Sequence, residues 1–165
     1  MIFRGLARAT RIAALLALAL AAPLPALAQV AAPAGAVHLF DLAADGVQIY
    51  ACQPREGGAA WVFQAPEALL FDATGRQQGT HGAGPHWLLG DGSRVTGTVL
   101  ETAPAAGSIP WLLLRAAPAE APGRLRDVTL IRRFDTRGGT APAGGCEPGQ
   151  VARMRYSATY GFYGR

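Results

Sequence analysis

The sequence predicts an all-β protein with a single small antiparallel β-sandwich or barrel over residues 37–165. Short apolar segments alternate with Gly, Pro and Asp-Gly turn signals, which is typical of sandwiches and barrels. After the N-terminal region, no long apolar segment follows a helical period without a Gly or Pro. The C-terminal segment alternates with the period of a strand. One side of it carries Met154, Tyr156, Ala158, Tyr160 and Phe162.

The N-terminus has the three parts of a secretory signal peptide. Arg4, Arg8 and Arg11 precede an apolar run over 12–22, which ends before the small-residue cleavage site 26–28. The run is shorter than the roughly 20 residues that a membrane span needs. We therefore expect residues 1–28 to be removed, 29–36 to form a flexible leader, and the protein to be secreted or periplasmic without a transmembrane segment. The alternatives are an uncleaved anchor or a buried helix.

The predicted mature chain is less basic than the full sequence, which has a net charge of +4. Fifteen basic residues oppose eleven acidic ones, and all fifteen are arginine. Three of these arginines lie in the predicted signal peptide, so the remaining chain has a net charge of about +1. This balance does not indicate nucleic-acid binding.

Two cysteines remain in the predicted mature chain, Cys52 and Cys146. In an oxidising compartment, two cysteines in a small domain favour one disulfide bond. The alternative is a pair of buried free thiols. A cysteine metal site lacks nearby ligands at a suitable spacing.

The individual strands follow from the alternation and the turn residues. Predicted strands cover 37–40, 47–52, 61–65 (ended by Pro66), 68–71, 87–89, 94–100 and 110–114. Turns are predicted at Asp45-Gly46, at 72–75 and at Asp91-Gly92. The apolar run 110–114 indicates a strand buried on both faces. Residues 128–134 are compatible with a strand or a short helix.

The loop 79–87 concentrates residues that can carry function, because it contains His81, His86 and Trp87 among three glycines and a proline. Gly and Pro give such a loop a defined shape. We expect it to form a binding surface, although His81 and Trp87 could instead close one end of the domain. Two histidines alone fall short of the three or four ligands of a usual metal site, so no metal and no cofactor are predicted.

Other candidate residues lie further along the chain. Asp91 and Ser93 could join His81 in a hydrolytic triad, but turn chemistry explains them equally well. Arg132 and Arg133 lie in an arginine-rich segment that could bind a carboxylate or an anionic surface, and a solvated strand face is the alternative. The tryptophans and the C-terminal tyrosines could line a groove or fill the core.

Several ordered motifs resemble a family of small secreted proteins catalogued only as a domain of unknown function. They are GVQIYxC (46–52), GTHxAGPxW (79–87), DGS (91–93), IPWLLL (109–114), GGxAPxxGC (138–146) and YxAxYxFY (156–163). The resemblance covers nearly the whole predicted mature chain and implies one secreted domain, without an activity. At His86 the chain departs from that pattern, in which Thr is common.

Together these observations predict a non-catalytic binding module for a small molecule, a glycan or another secreted protein. The candidate binding residues are His81, His86, Trp87, Asp91, Ser93, Arg132 and Arg133. A periplasmic lysozyme inhibitor is an alternative, because those small barrels also carry Tyr-x-Cys in their first strand. A metal-dependent or hydrolytic enzyme that uses His81 and His86 is another.

Overall fold

A computed structural model describes residues 30–165, and these residues form one closed β-barrel of eight strands. The predicted signal peptide lies outside the described residues. The strands are β1 Val37–Arg55, β2 Gly58–Phe71, β3 Gln77–Gly82, β4 His86–Leu89, β5 Arg94–Ala105, β6 Ser108–Ala116, β7 Leu130–Gly138 and β8 Val151–Gly164. Across 30–165, no helix is long and apolar enough to cross a membrane.

Neighbouring strands in the chain are neighbours in the sheet, and all pairs are antiparallel. The ring closes because β1 pairs with β2 on one side and with β8 on the other. The predicted all-β antiparallel fold is confirmed, and of the two predicted architectures the chain adopts the barrel.

The interior follows the two-residue period of the strands. Tyr156, Ala158, Tyr160 and Phe162 of β8 are all buried, as the alternation in the sequence predicts. They join apolar side chains of the other strands in one continuous core, which includes Leu42, Leu70, Trp87, Val95, Leu114 and Ile131.

A second, smaller apolar cluster lies on the outer face of the barrel. Leu113 packs there against Val30 and Ala103, with Trp111 and Leu130 at the margin. Leu114, the next residue of β6, is buried in the main core. The run 110–114 is therefore covered on both faces at these two positions, as predicted. Val30, at the start of the predicted leader, is 4% exposed.

Three predicted interruptions of strands are wrong. The predicted loop 79–87 is a short turn over 83–85, because 79–82 belong to β3 and 86–87 to β4. Asp45-Gly46 lies in the middle of β1 and forms no turn. A side chain at Gly46 would overlap the backbone of Glu67 and Ala68, so this glycine permits the close approach of β2. Pro66 does not end its strand either: β2 continues to Phe71, and Pro66 pairs with Gln48 beside an irregularity in the ladder, where the missing N–H is tolerated.

The segment before β7 closes one end of the barrel, which we call the lower end. Leu125 and Val128 of this segment are buried in the core. The Ser93 hydroxyl accepts a hydrogen bond from the Leu125 N–H, and the Asp91 carboxylate accepts one from the Arg124 N–H. Residues 128–129 precede β7 and 130–134 belong to it, so the short-helix alternative is wrong.

The opposite, upper end carries the β1–β2, β3–β4, β5–β6 and β7–β8 connections. The long β7–β8 connection, 139–150, is fixed to β1 by the disulfide Cys52–Cys146, which confirms the predicted bond. The Tyr50 hydroxyl also donates to the Gly139 carbonyl at 2.8 Å. Gly139 has a φ of +78°, and a Cβ there would press on Tyr156, Gln48 and Ile109. The connection thus packs against the barrel rim.

Replacing Cys146 with Ser should lower the stability of the barrel strongly. The bond spans a sequence separation of 94 residues, and its loss releases chain entropy in the unfolded state worth roughly 4 to 5 kcal/mol. Urea unfolding of Cys146→Ser should show a much lower midpoint and a somewhat steeper slope, because the unfolded chain without the bond is more expanded. A Cys52→Ser/Cys146→Ser double variant should match the single variant. A midpoint equal to that of the unaltered protein would contradict the expected stabilisation.

Candidate functional site

The upper half of the barrel contains a cavity of about 480 Å³. This volume lies within the range of pockets that hold small organic ligands. All the strands contribute to its wall. The lining residues are Gln48, Tyr50, Phe63, Gln64, Pro66, His81, Gly84, Pro85, Trp87, Val99, Thr102, Ile109, Pro110, Leu112, Leu114, Arg133 and Tyr160.

Most of the cavity wall is apolar. Ile109 and Leu114 are buried at its side, and Leu112 is half-buried. Phe63 on β2 and Val99 on β5 each have 48% of their surface exposed, so the cavity reaches solvent beside them. A ligand that enters here would exchange water for aliphatic and aromatic contacts.

His81 forms part of the wall from β3. Its ring stacks on Trp87, with centroids 4.6 Å apart, and Tyr160 lies 4.9 Å away. Its Nδ1 donates to the His86 carbonyl at 2.8 Å. Burial is the main cause that lowers the pKa of His81 to about 4. The ring is therefore neutral at pH 7, and its Nε2 is an acceptor.

Arg133 places a cation in this apolar surrounding. Only 9% of the residue is exposed. Its Nε and Nη2 donate to the Pro110 carbonyl at 3.0 and 2.8 Å. The β6–β7 ladder is irregular between Ser108 and Leu112, which explains why a side chain can reach this carbonyl. A second irregularity in β7 includes Asp135, whose φ is +50°. Bulges of this kind commonly redirect side chains next to sites.

Three more polar groups on the wall lack partners. Gln48 Nε2, Trp87 Nε1 and the Tyr160 hydroxyl are buried and make no hydrogen bond to the described protein atoms. Burial raises the pKa of Tyr160, while the nearby Arg133 charge opposes this rise. Tyr160 and Arg133 are directly paired residues of β8 and β7. Because buried polar groups normally have partners, this cluster is an unusual feature of the interior.

The structure brings three of the seven candidate residues into this cavity: His81, Trp87 and Arg133. His86 and Trp87 are consecutive in β4, so their side chains point to opposite faces of the sheet. The His86 ring lies over Gly82, and its Nδ1 contacts the Ala83 carbonyl. His81 and His86 therefore do not share one face.

The remaining three candidates lie elsewhere. Asp91 and Ser93 belong to the turn at the lower end, where the Asp91 carboxylate accepts from the Ser93 N–H and hydroxyl. That turn and the β3–β4 turn lie at opposite ends of β4, so His81, Asp91 and Ser93 do not form a triad. Arg132 is on the outer face. There its guanidinium stacks on Phe134 and donates to the Val30 carbonyl.

Within residues 30–165, no group of three or more His, Cys, Asp or Glu side chains is placed to hold a metal ion. The cavity wall in this part of the chain also includes no Asp or Glu.

Sequence reasoning missed much of the cavity wall. Gln48 has the pattern of an ordinary polar position in a strand. It lies on the same side of the strand as Cys52, however, and both side chains are buried. Leu112 belongs to the predicted buried strand 110–114, and Ile109 lies just before it. The sequence leaves open whether Tyr160 lines a groove or fills the core, and in the structure it belongs to the core and also lines the cavity. No local pattern distinguishes Gln48 or Arg133, because each lies on the less apolar side of its strand in the sequence.

Comparison with protein families matches residues 33–164 to a family described as "Protein of unknown function (DUF3455)". The chain belongs to the DUF3455 family. The match covers the whole barrel and confirms the resemblance drawn from the motifs. Neither the curated proteins nor the solved structures include a match to this DUF3455 protein.

The buried state of His81 predicts a pH dependence of stability. Its pKa is about 4 in the fold against an ordinary value of 6.5, so between these values the unfolded chain binds more protons. The free energy of unfolding is therefore highest above pH 6.5, where His81 is neutral in both states. It decreases as the pH falls towards 4, because the unfolded chain takes up a proton on His81 and the folded protein does not. The difference corresponds to about 3 kcal/mol.

Two measurements check this prediction. The His81 Cε1 proton followed by NMR should titrate near pH 4. Urea unfolding of His81→Gln should depend less on pH between 6.5 and 4 than unfolding of the unaltered protein. A His81 midpoint close to 6.5 would show that the ring is accessible to protonation and would refute the buried geometry.

Proposed function

We propose that this DUF3455 protein is a non-catalytic binding protein that holds a small, largely apolar molecule in the upper cavity of its barrel. The observation that carries the proposal is the cavity itself: about 480 Å³, mainly apolar walls, and a few buried polar groups on one side. Ligand sites commonly combine these features.

The barrel framework supports this role. The wall comes from strands in a closed ring, so little of it has to become ordered when a ligand binds. Binding sites that are formed in advance lose less affinity to conformational entropy. The β7–β8 connection adds a rim that the disulfide and the Tyr50–Gly139 hydrogen bond fix in place.

The place of action that we propose is outside the cytoplasm, in the periplasm or the surrounding medium. The Cys52–Cys146 disulfide is consistent with an extracytoplasmic location, because such bonds persist in oxidising compartments. The predicted signal peptide agrees with this placement.

A neutral fluorescent probe tests the binding function. N-phenyl-naphthylamine is an apolar molecule small enough for the cavity, and its emission rises when it leaves water. We expect saturable binding with one site per chain. Leu112→Trp should reduce the affinity at least about tenfold, because the larger side chain would occupy the cavity and remove the apolar contacts that favour binding.

Leu88→Trp is the matched control, because Leu88 lies on the outer face of β4 and is 39% exposed. It should bind the probe as the unaltered protein does. Equal binding by Leu112→Trp and Leu88→Trp would place the probe outside the cavity and contradict the proposed function.

A further inference from the structure

The Arg133 charge has no counter-ion among residues 30–165. The ion pairs in this part of the chain are formed by Arg76, Arg94, Arg153, Arg155 and His38 with carboxylates, and none includes Arg133. Its two hydrogen bonds go to one neutral carbonyl, that of Pro110. Buried charges in proteins are normally paired or bound to a ligand of opposite charge.

Several unpaired donors lie around Arg133, beside one acceptor, the Nε2 of the neutral His81. Gln48 Nε2 and Trp87 Nε1 can only donate. The Tyr160 hydroxyl, which can donate or accept, lies beside Arg133 and Tyr156. His81 is neutral and therefore brings no second charge. An unpaired cation with unpaired donors beside it is complementary to an acceptor that carries negative charge.

The influence of the Arg133 charge extends over the whole polar side of the cavity. Burial is the main influence on the titratable groups nearby: it raises the pKa of Tyr50, Tyr156 and Tyr160 and lowers that of His81. The Arg133 charge acts on all four groups as well, and it opposes the rise in the tyrosines and adds to the lowering in His81. Leu112, paired with Arg133 across the strands, belongs to the apolar part of the wall. The cavity thus has one cationic side and one apolar side.

From this arrangement we infer that the ligand is an amphipathic anion, whose carboxylate, sulfate or similar group binds the Arg133 guanidinium while its apolar part fills the space beside Ile109, Leu112 and Leu114. The inference rests on the proposed binding function and names the chemical class of its ligand.

Two probes that differ by one anionic group test the inference in the unaltered protein. Anilinonaphthalene sulfonate has the ring system of N-phenyl-naphthylamine with an added sulfonate. Because the sulfonate is strongly hydrated, an apolar cavity alone would prefer the neutral probe. We expect the sulfonate to bind at least about tenfold more tightly, since it gains a charge-assisted bond to Arg133.

Variants then locate the preference. Arg133→Gln should lose it, so that the sulfonate binds no more tightly than the neutral probe. Arg155→Gln removes an exposed arginine from the outer surface and should keep the full preference. Arg133→Lys keeps the charge and should retain part of it, which separates loss of charge from loss of the hydrogen bonds to Pro110.

Competition in the unaltered protein provides a test that does not depend on the folding of any variant. Octanoate, octyl sulfate and octanol share an eight-carbon chain and differ in the head group. We expect octanoate or octyl sulfate to displace N-phenyl-naphthylamine at a lower concentration than octanol, and the order of the two anions identifies the preferred head group.

The outcomes separate the two proposals. If the neutral probe binds in the cavity and the sulfonate binds no better, or octanol is the best competitor, the binding function stands and the anionic ligand is refuted. If neither probe is affected by Leu112→Trp, both proposals fail. A preference that survives in a folded Arg133→Gln variant would also overturn the assignment to Arg133.

Discussion

The pairing of β1 with β8 is the constraint on which the rest of the molecule depends. It joins the two ends of the sheet over Val37–Ala51 of β1 and turns an open meander into a ring without free edges. Gln48 on β1, Tyr160 on β8 and Arg133 on β7 face one space only because this ring is closed. The cavity is therefore a product of closure rather than of any single loop.

The two halves of the interior reach stability differently. The lower half is packed with side chains such as Leu70, Val95 and Leu125, whose burial favours folding. The upper half contains a charge and several unpaired polar atoms, each of which costs free energy when it leaves water. Proteins tolerate such groups where function requires them. The difference between the two halves therefore supports the upper cavity as the candidate binding site.

Local signals predicted the barrel well and its polar interior poorly. The alternation of β8 and the Asp91-Gly92 turn act between near neighbours in the chain, so they can be recognised in the sequence. The continuity of β1 through Gly46 depends on how closely β2 approaches, and the meeting of Arg133 with His81 depends on ring closure. Both are long-range relations, and a single sequence does not contain the distances that would reveal them. The disulfide was predictable because only two cysteines were available.

The β1–β8 pairing also bears on the order in which the barrel can form. Ribosomes make β1 early and β8 last, so most of the chain exists before the strand that completes the ring. Until then β1 has an unpaired edge, and contacts between the ends of a chain are slow to form. The final strand thus completes the barrel, and loss of β8 would leave the edges of β1 and β7 unpaired and free to pair with strands of neighbouring chains.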